Sequence, residues 1–503
     1  MSLFGKYKIE IFFGIAIVFV YFATRLYNLT SLPIFTDEAI YIRWAQIAAN
    51  DANWRFISLT DGKQPLFIWL MMPLMKLPLD PLFLGRLVSV GAGFGTVVGL
   101  FFLGWELFKS RWVGIIASLT YVLYPFALVL DRMALYDSLV GTFFVWSLYV
   151  SILLIRKIRL DLALILSFII GGGILTKSSG FFSLALLPFT LVLFDFKQKS
   201  KYKDLLRWCF YAVLVGVISY IYYSILRLSP YFHIIDEKNT IFVYPLKEWL
   251  QHPFLFLVDN TKWLSFWLVT YLTIPFSLVI AASLFFRKKY GRELVVLFLF
   301  FIAPFIYLAF FGKTLYPRYL LFMSLPLLVI GAYSFYSLIK KIKNKLVLCG
   351  IFLIVYGFMA YSDFLILTDF AKAPIPQSDV NQYYLSWPSG VGVKETVDFI
   401  NEKSKTEKIF VATEGTFGLM PYGLEIYLVN NPNVTIKGYW PIDDTPPEDA
   451  LLLSKTMPVY FFFYQNCVYC QGVGGVPATW KVEKVLHFQK SPTNDVNLYK
   501  LLP

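Results

Sequence analysis

Two acidic residues stand side by side in the segment Thr36-Asp37-Glu38-Ala39-Ile40-Tyr41, just after a long apolar run. A carboxylate there can take the proton of an attacking hydroxyl as a general base. Cations recur further along: Lys63 in Gly62-Lys63-Gln64-Pro65, Arg132 after Asp131, and Lys177 in Thr176-Lys177-Ser178-Ser179. Lys313 and Arg318 follow in Gly312-Lys313-Thr314-Leu315-Tyr316-Pro317-Arg318, next to Tyr319, and Asp137 adds a carboxylate just inside an apolar run. Arginine binds phosphate oxygens bidentately and lysine binds them as a point charge. Cations beside paired carboxylates describe group transfer from a membrane-borne phosphate or diphosphate lipid to an incoming nucleophile. Each residue also has a plainer use. Asp37 suits the N-cap of a helix starting at Glu38, and Lys177 and Lys313 suit snorkelling anchors. Arg132 and Asp137 suit a structural pair between two helices, and His233 and His252 suit solvated loop histidines. Their gathering on one membrane face favours a site, because ionisable residues near bilayer depth are costly.

That face follows from the elements between them. Apolar spans cover residues 10–27, 82–108, 112–130, 134–155, 160–175, 180–196, 205–228, 263–286, 293–311, 318–339 and 346–367. This makes about eleven spans of roughly bilayer length. Residues 65–77 are apolar but short, which suits an interfacial or re-entrant segment within a first outer loop of 28–81. With Lys6 and Lys8 in the cytoplasm, the connections 109–111, 156–159, 197–203, 287–292 and 340–345 are cytoplasmic too, and all five are short and basic. That is the positive-inside pattern of a plasma-membrane protein with a cytoplasmic N-terminus. The acidic pair and the cations then all fall on the outer face. The first span lacks a small-residue cleavage site and reads as an uncleaved anchor.

Composition agrees. Hydrophobic residues are 58% of the 503 and charged residues 15%, against about 45–50% and about 25% in soluble domains. The net charge of +13 lies in short loop clusters rather than in a basic stripe, which excludes a nucleic-acid partner. After residue 367 the apolar runs stop. Residues 408–413 and 458–463 read as buried strands and 393–402 as an amphipathic helix, so 368–503 is expected to form an extracytoplasmic α/β domain beyond a transmembrane domain of 1–367. Cys467 and Cys470 lie in that domain as a lone Cys-Val-Tyr-Cys; the lack of a second ligand pair disfavours zinc, and in an oxidising space a local disulfide suits them, with two free thiols as the alternative.

At these residues the chain resembles the C-type glycosyltransferases, which use polyprenyl-phosphate-linked sugars, and among them the protein O-mannosyltransferase and lipid A aminoarabinose transferase group. The likeness covers about the first 370 residues. It rests on five elements in order: Asp37-Glu38-Ala39-Ile40-Tyr41, Lys63-Gln64-Pro65-Leu66, Arg132 to Asp137, Leu175-Thr176-Lys177 and Arg318-Tyr319-Leu320. Gln64 departs from the group, which usually has proline there. The resemblance implies a polytopic C-type fold, a polyprenyl-phosphate sugar donor, an external active site and an inverting transfer. By it, Asp37 binds or deprotonates the acceptor hydroxyl, with Glu38 beside it. Lys63, Arg132, Lys177, Lys313 and Arg318 hold the donor phosphate, Asp137 orients the site, and Tyr41 and Tyr319 contact substrate. Some relatives use a divalent metal and others do not, so both options stand, and the acceptor is a lipid, a protein or a glycan. Two rival readings are a polyprenyl-linked glycan flippase and a polysaccharide polymerase or ligase. A flippase calls for polar groups at mid-membrane depth and broken helices.

Overall fold

Long apolar runs in a chain with no water to satisfy its amides must close their hydrogen bonds internally, and here they do so as helices. The computed structural model describes residues 7–464, 475–491 and 494–503. Cys467 and Cys470 lie outside the described residues. Among the described residues seven helices are long and apolar enough to span a bilayer: Lys8–Leu26, Pro81–Phe108, Tyr136–Lys157, Lys201–Leu228, Ile274–Phe311, Pro317–Lys341 and Lys345–Thr368. An eighth arises if Arg111–Val122 and Pro125–Asp131, bent by 63°, count as one span. The bend falls where Pro125 cannot donate to the preceding turn and its ring would clash there.

The count differs from the eleven expected, for local reasons. Leu160–Thr176 and Ser178–Leu193 are helical but short, the second being mostly 3-10 helix around Pro188. Expected span 263–286 is split. Helix Leu257–Leu272 ends at Thr273, whose φ is +66°, and Ile274–Ala281 then runs on towards Arg287–Phe311.

Contacts group the chain into two units that interleave along it, whereas composition alone divides it at 367/368. One unit is Met1–Tyr27, Arg55–Leu70 and Arg86–Pro376; the other is Asn28–Trp54, Met71–Gly85 and Gln377–Pro503.

In the first unit, buried polar groups tie the helices. Asp131, fully buried, accepts hydrogen bonds from the Tyr121 hydroxyl at 2.9 Å, the Ser138 hydroxyl at 2.8 Å and Arg25 Nε at 3.4 Å. Elsewhere Arg156 bridges Glu106 at 2.7 Å and Glu293 at 3.1 Å, joining three helices.

The second unit carries a five-stranded sheet: β1 (Ile409–Glu414), β2 (Val434–Tyr439), β3 (Val459–Phe463), β4 (Val482–Ser491) and β5 (Asn494–Leu501). The order is β2-β1-β3-β5-β4; β1 is parallel to both β2 and β3, and the β4–β5 hairpin is antiparallel. β1 and β3 are buried at every position, as expected for central strands covered on both faces. This bears out the α/β reading, including the helix Val393–Lys403.

The same unit includes the helix Thr36–Asn50, which carries the Asp-Glu pair. Its Arg43 pairs with Glu425 at 2.6 Å, its Gln46 amide donates to the Ile426 carbonyl at 2.8 Å, and its Trp44 ring lies 6.3 Å from Phe417. Glu425 and Ile426 belong to the helix Leu419–Leu428, which follows β1.

Candidate active site

In the first unit, Lys177 occupies the turn between Leu160–Thr176 and Ser178–Gly180. The turn is tight enough that a Cβ on Gly180 would collide with the Gly173 carbonyl, so no larger residue fits. Lys177 Nζ donates to Asp137 Oδ1 at 2.8 Å; their side chains are 28% and 7% exposed. Asp137 sits in the first turn of Tyr136–Lys157, where the helix dipole favours an anion. Its partner is therefore Lys177, not the Arg132 considered as an alternative.

The lysine also stands over an aromatic face, with Nζ 4.8 Å from the Tyr319 ring centre. Tyr319 meets Phe242 edge-to-face at 6.3 Å, and Lys63 Nζ lies 5.6 Å from the Phe242 ring. Two ammonium groups are thus held on two touching rings by the attraction of a cation to the π quadrupole. Phe242 ends the helix Ile234–Phe242 and did not stand out in the sequence. Its carbonyl accepts the Lys313 and Thr314 amides at 2.8 and 3.3 Å, which pins the start of the segment that leads to Arg318.

Neighbouring contacts fix Lys63. Gly62 has φ +66°, and a Cβ there would meet Lys238 Cβ at 2.6 Å and the Ile234 carbonyl at 2.7 Å. Lys238 in turn pairs with Asp61 at 2.5 Å. Gln64 donates to Ser178 Oγ at 2.8 Å, and Ser178 donates to Asn239 at 3.2 Å. A proline at position 64 could not make the first of these bonds, so the departure from the family pattern supplies a tie of its own.

Other expected phosphate ligands are engaged in other ways. Lys313 Nζ is 3.6 Å from Glu248 with both side chains about 40% exposed, and it lies 5.1 Å from the Tyr244 ring. The Arg318 guanidinium is 5.4 Å from the Tyr316 ring. Arg132 Nη1 donates to the carbonyls of Thr24, Arg25 and Tyr27 at 2.9, 3.0 and 2.7 Å. It thereby caps the C-terminal end of Lys8–Leu26, where carbonyls lack partners.

In the second unit the acidic pair separates into two roles. The helix begins at Thr36 with Phe35 as N-cap, so Asp37 lies within the first turn and is not the cap. Glu38 is fully buried and accepts the Phe35 amide at 3.0 Å, the glutamate half of a capping box. Asp37 is partly exposed. Tyr41 is buried, its ring 5.9 Å from Trp44. Among the described residues no group of three or more His, Cys, Asp or Glu could hold a metal ion.

Residues 62–223 match the family model described as dolichyl-phosphate-mannose-protein mannosyltransferase. The fold is similar to that of ArnT from Cupriavidus metallidurans in the apo state, at TM-score 0.59 and 13% identity over 97% of each chain. The undecaprenyl-phosphate-bound form of that protein matches at TM-score 0.56 and 13% identity, over 99% of this chain and 98% of the other. An Archaeoglobus fulgidus oligosaccharyltransferase in the apo form matches at TM-score 0.51 and 13% identity, over 92% of this chain and 70% of that one. No curated protein sequence matches the chain. The resemblance is borne out by the family match over residues 62–223 and by the fold: this is a membrane protein with an ArnT-like fold.

Proposed function

We propose that the protein transfers a sugar from a polyprenyl-phosphate donor to an acceptor hydroxyl on the extracytoplasmic side of the plasma membrane. The observation that carries this is the chain Asp137–Lys177–Tyr319–Phe242–Lys63, which fixes two ammonium groups with one carboxylate. Such fixed cations suit a phosphate leaving group, whose charge grows as the glycosidic bond breaks. Arg318 and Lys313, on the segment anchored to Phe242, add cationic charge for the same phosphate. The undecaprenyl phosphate held by ArnT supports a donor of this kind. Asp37, partly exposed in the first turn of its helix, takes the acceptor proton, while Glu38 sets the start of that helix. Attack from the face opposite the phosphate inverts the anomeric centre. With the N-terminus in the cytoplasm, the five basic loops face inward and the sheet unit outward.

The test uses purified protein in liposomes with radiolabelled polyprenyl-phosphate sugars and acceptor extracts. Asp37→Asn abolishes transfer while donor binding and the thermal unfolding midpoint stay unchanged. Full activity of that variant would remove Asp37 from the mechanism. Lipid translocation without any acceptor would point to a flippase instead.

A further inference from the structure

Lys490 is an unusual residue in the sheet unit. It lies in β4 between Gln489, paired with Asp495, and Ser491, paired with Asn494, at a break in the β4–β5 register. Such irregularities re-aim a side chain out of simple alternation. Lys490 is only 6% exposed, and its Nζ donates to the Ser389 carbonyl at 2.5 Å and the Tyr464 carbonyl at 3.2 Å. Burial pushes its amine down to about 7. Even as a neutral amine it keeps two N–H groups, one for each carbonyl.

The Ser389 carbonyl belongs to a short strap that grips the acidic helix. Ser389 pairs with Phe35 as an antiparallel bridge. The Pro388 carbonyl accepts both the amide and the hydroxyl of Thr36, each at 2.9 Å, and the Gly390 amide donates to the Ile34 carbonyl at 2.7 Å. Phe35 in turn donates to Glu38 and meets Tyr383 edge-to-face at 5.2 Å. From Lys490 to Asp37 there is therefore an unbroken path of hydrogen bonds and short backbone segments. The loop after β1 closes the other side: a Cβ on Gly418 would stand 3.6 Å from the Thr36 methyl. In this sheet β2 and β3 flank β1, so the carboxyl ends of β1 and β3 form a topological switch point, where open α/β sheets bind ligands. Here the loop leaving that end of β1 packs against the chain's own acidic helix.

We infer that Lys490 is a positioning residue, which through the strap at residues 388–390 sets the first turn of Thr36–Asn50 and hence the direction of the Asp37 carboxylate. The inference rests on the proposed role of Asp37 but is tested separately from it. In the full-length protein, Lys490→Met lowers kcat for transfer about tenfold and leaves the donor KM within twofold. In the same preparation the Thr36 and Gly390 amides exchange hydrogen at least tenfold faster, while those of β1 are unchanged. An unchanged kcat, or unchanged protection at Thr36 and Gly390, overturns the inference. If the variant does not fold, the wild-type protein decides: slow exchange of Thr36 and Gly390 alongside β1 supports the clamp, and rapid exchange typical of a frayed helix end refutes it. If Asp37→Asn proves fully active, the proposed function falls, and the exchange measurements still judge the clamp.

Discussion

The pair Asp137–Lys177 offers the sharpest quantitative test of the site. Replacing Asp137 by Asn keeps the shape but removes the charge that accepts from Lys177 at 2.8 Å. A hydrogen bond to a charged group contributes about 1.5–3 kcal/mol. Because Lys177 is 28% exposed, solvent screening puts the coupling near the lower bound, about 1.5 kcal/mol. In a rate, that is roughly tenfold. The prediction is a loss of about tenfold in kcat/KM for Asp137→Asn, measured with varied donor at fixed acceptor. Lys177→Met made on top of Asp137→Asn then costs roughly tenfold less than it does in the wild type, since the shared interaction is already gone. Should the two losses simply multiply, the residues act independently and the reasoning from their contact is wrong. A thermal midpoint within a few degrees of wild type in each variant keeps folding out of the comparison.

Four further outcomes follow from the geometry. Arg132→Ala strips three carbonyls of their cap and lowers stability by about 2–3 kcal/mol, read as a drop in the midpoint of thermal unfolding in detergent. Gly62→Ala forces a Cβ into Lys238 at a positive φ, costing more than about 1 kcal/mol and weakening donor binding through Lys63. Arg156→Met leaves Glu106 and Glu293 without their shared partner and destabilises the helix bundle by about 1 kcal/mol, since all three groups are partly solvated; the midpoint of thermal unfolding in detergent reads this too. The last is a pH effect. Lys490 titrates near 7 when folded and near its ordinary 10.5 when unfolded, so between those values the unfolded chain binds more protons. Stability of the sheet unit therefore rises from about pH 7 towards about pH 10. Its burial cost is fully present below pH 7, and a chemical-denaturation series should lose this rise in Lys490→Met.

Much of this was legible in the sequence, and the remainder has identifiable causes. Apolar runs announce helices because lipid forces internal hydrogen bonding. Their interruptions at Thr273 and around Pro188 depend on single backbone angles that composition does not reveal. The buried strands Ile409–Glu414 and Val459–Phe463 declared themselves as short continuous apolar runs. Asp137 and Lys177 both stand out in the sequence, but their pairing does not, since they lie 40 residues apart and spacing carries no distance at that range. Phe242 was invisible as one of 50 phenylalanines. The two residues of the acidic pair looked equivalent on paper. Only the helix start at Thr36 separates Glu38, turned back to the Phe35 amide, from Asp37. The hold of the strap on that helix had no signature at all, because it runs mostly through backbone carbonyls.

That hold has a consequence for how the protein comes into being. Thr36 and Pro388 are 352 positions apart, so the acidic helix finds its seat only after the strap at residues 388–390 has been made. At about 5–20 residues per second the wait is roughly 20–70 s. Throughout it, Trp44, Ala45 and Ala48, all buried in the finished fold, lack their eventual cover. A nascent chain stalled before residue 388 carries the acidic motif without the strap that holds the helix start. The start of the acidic helix is thus settled by a segment made much later than the helix itself.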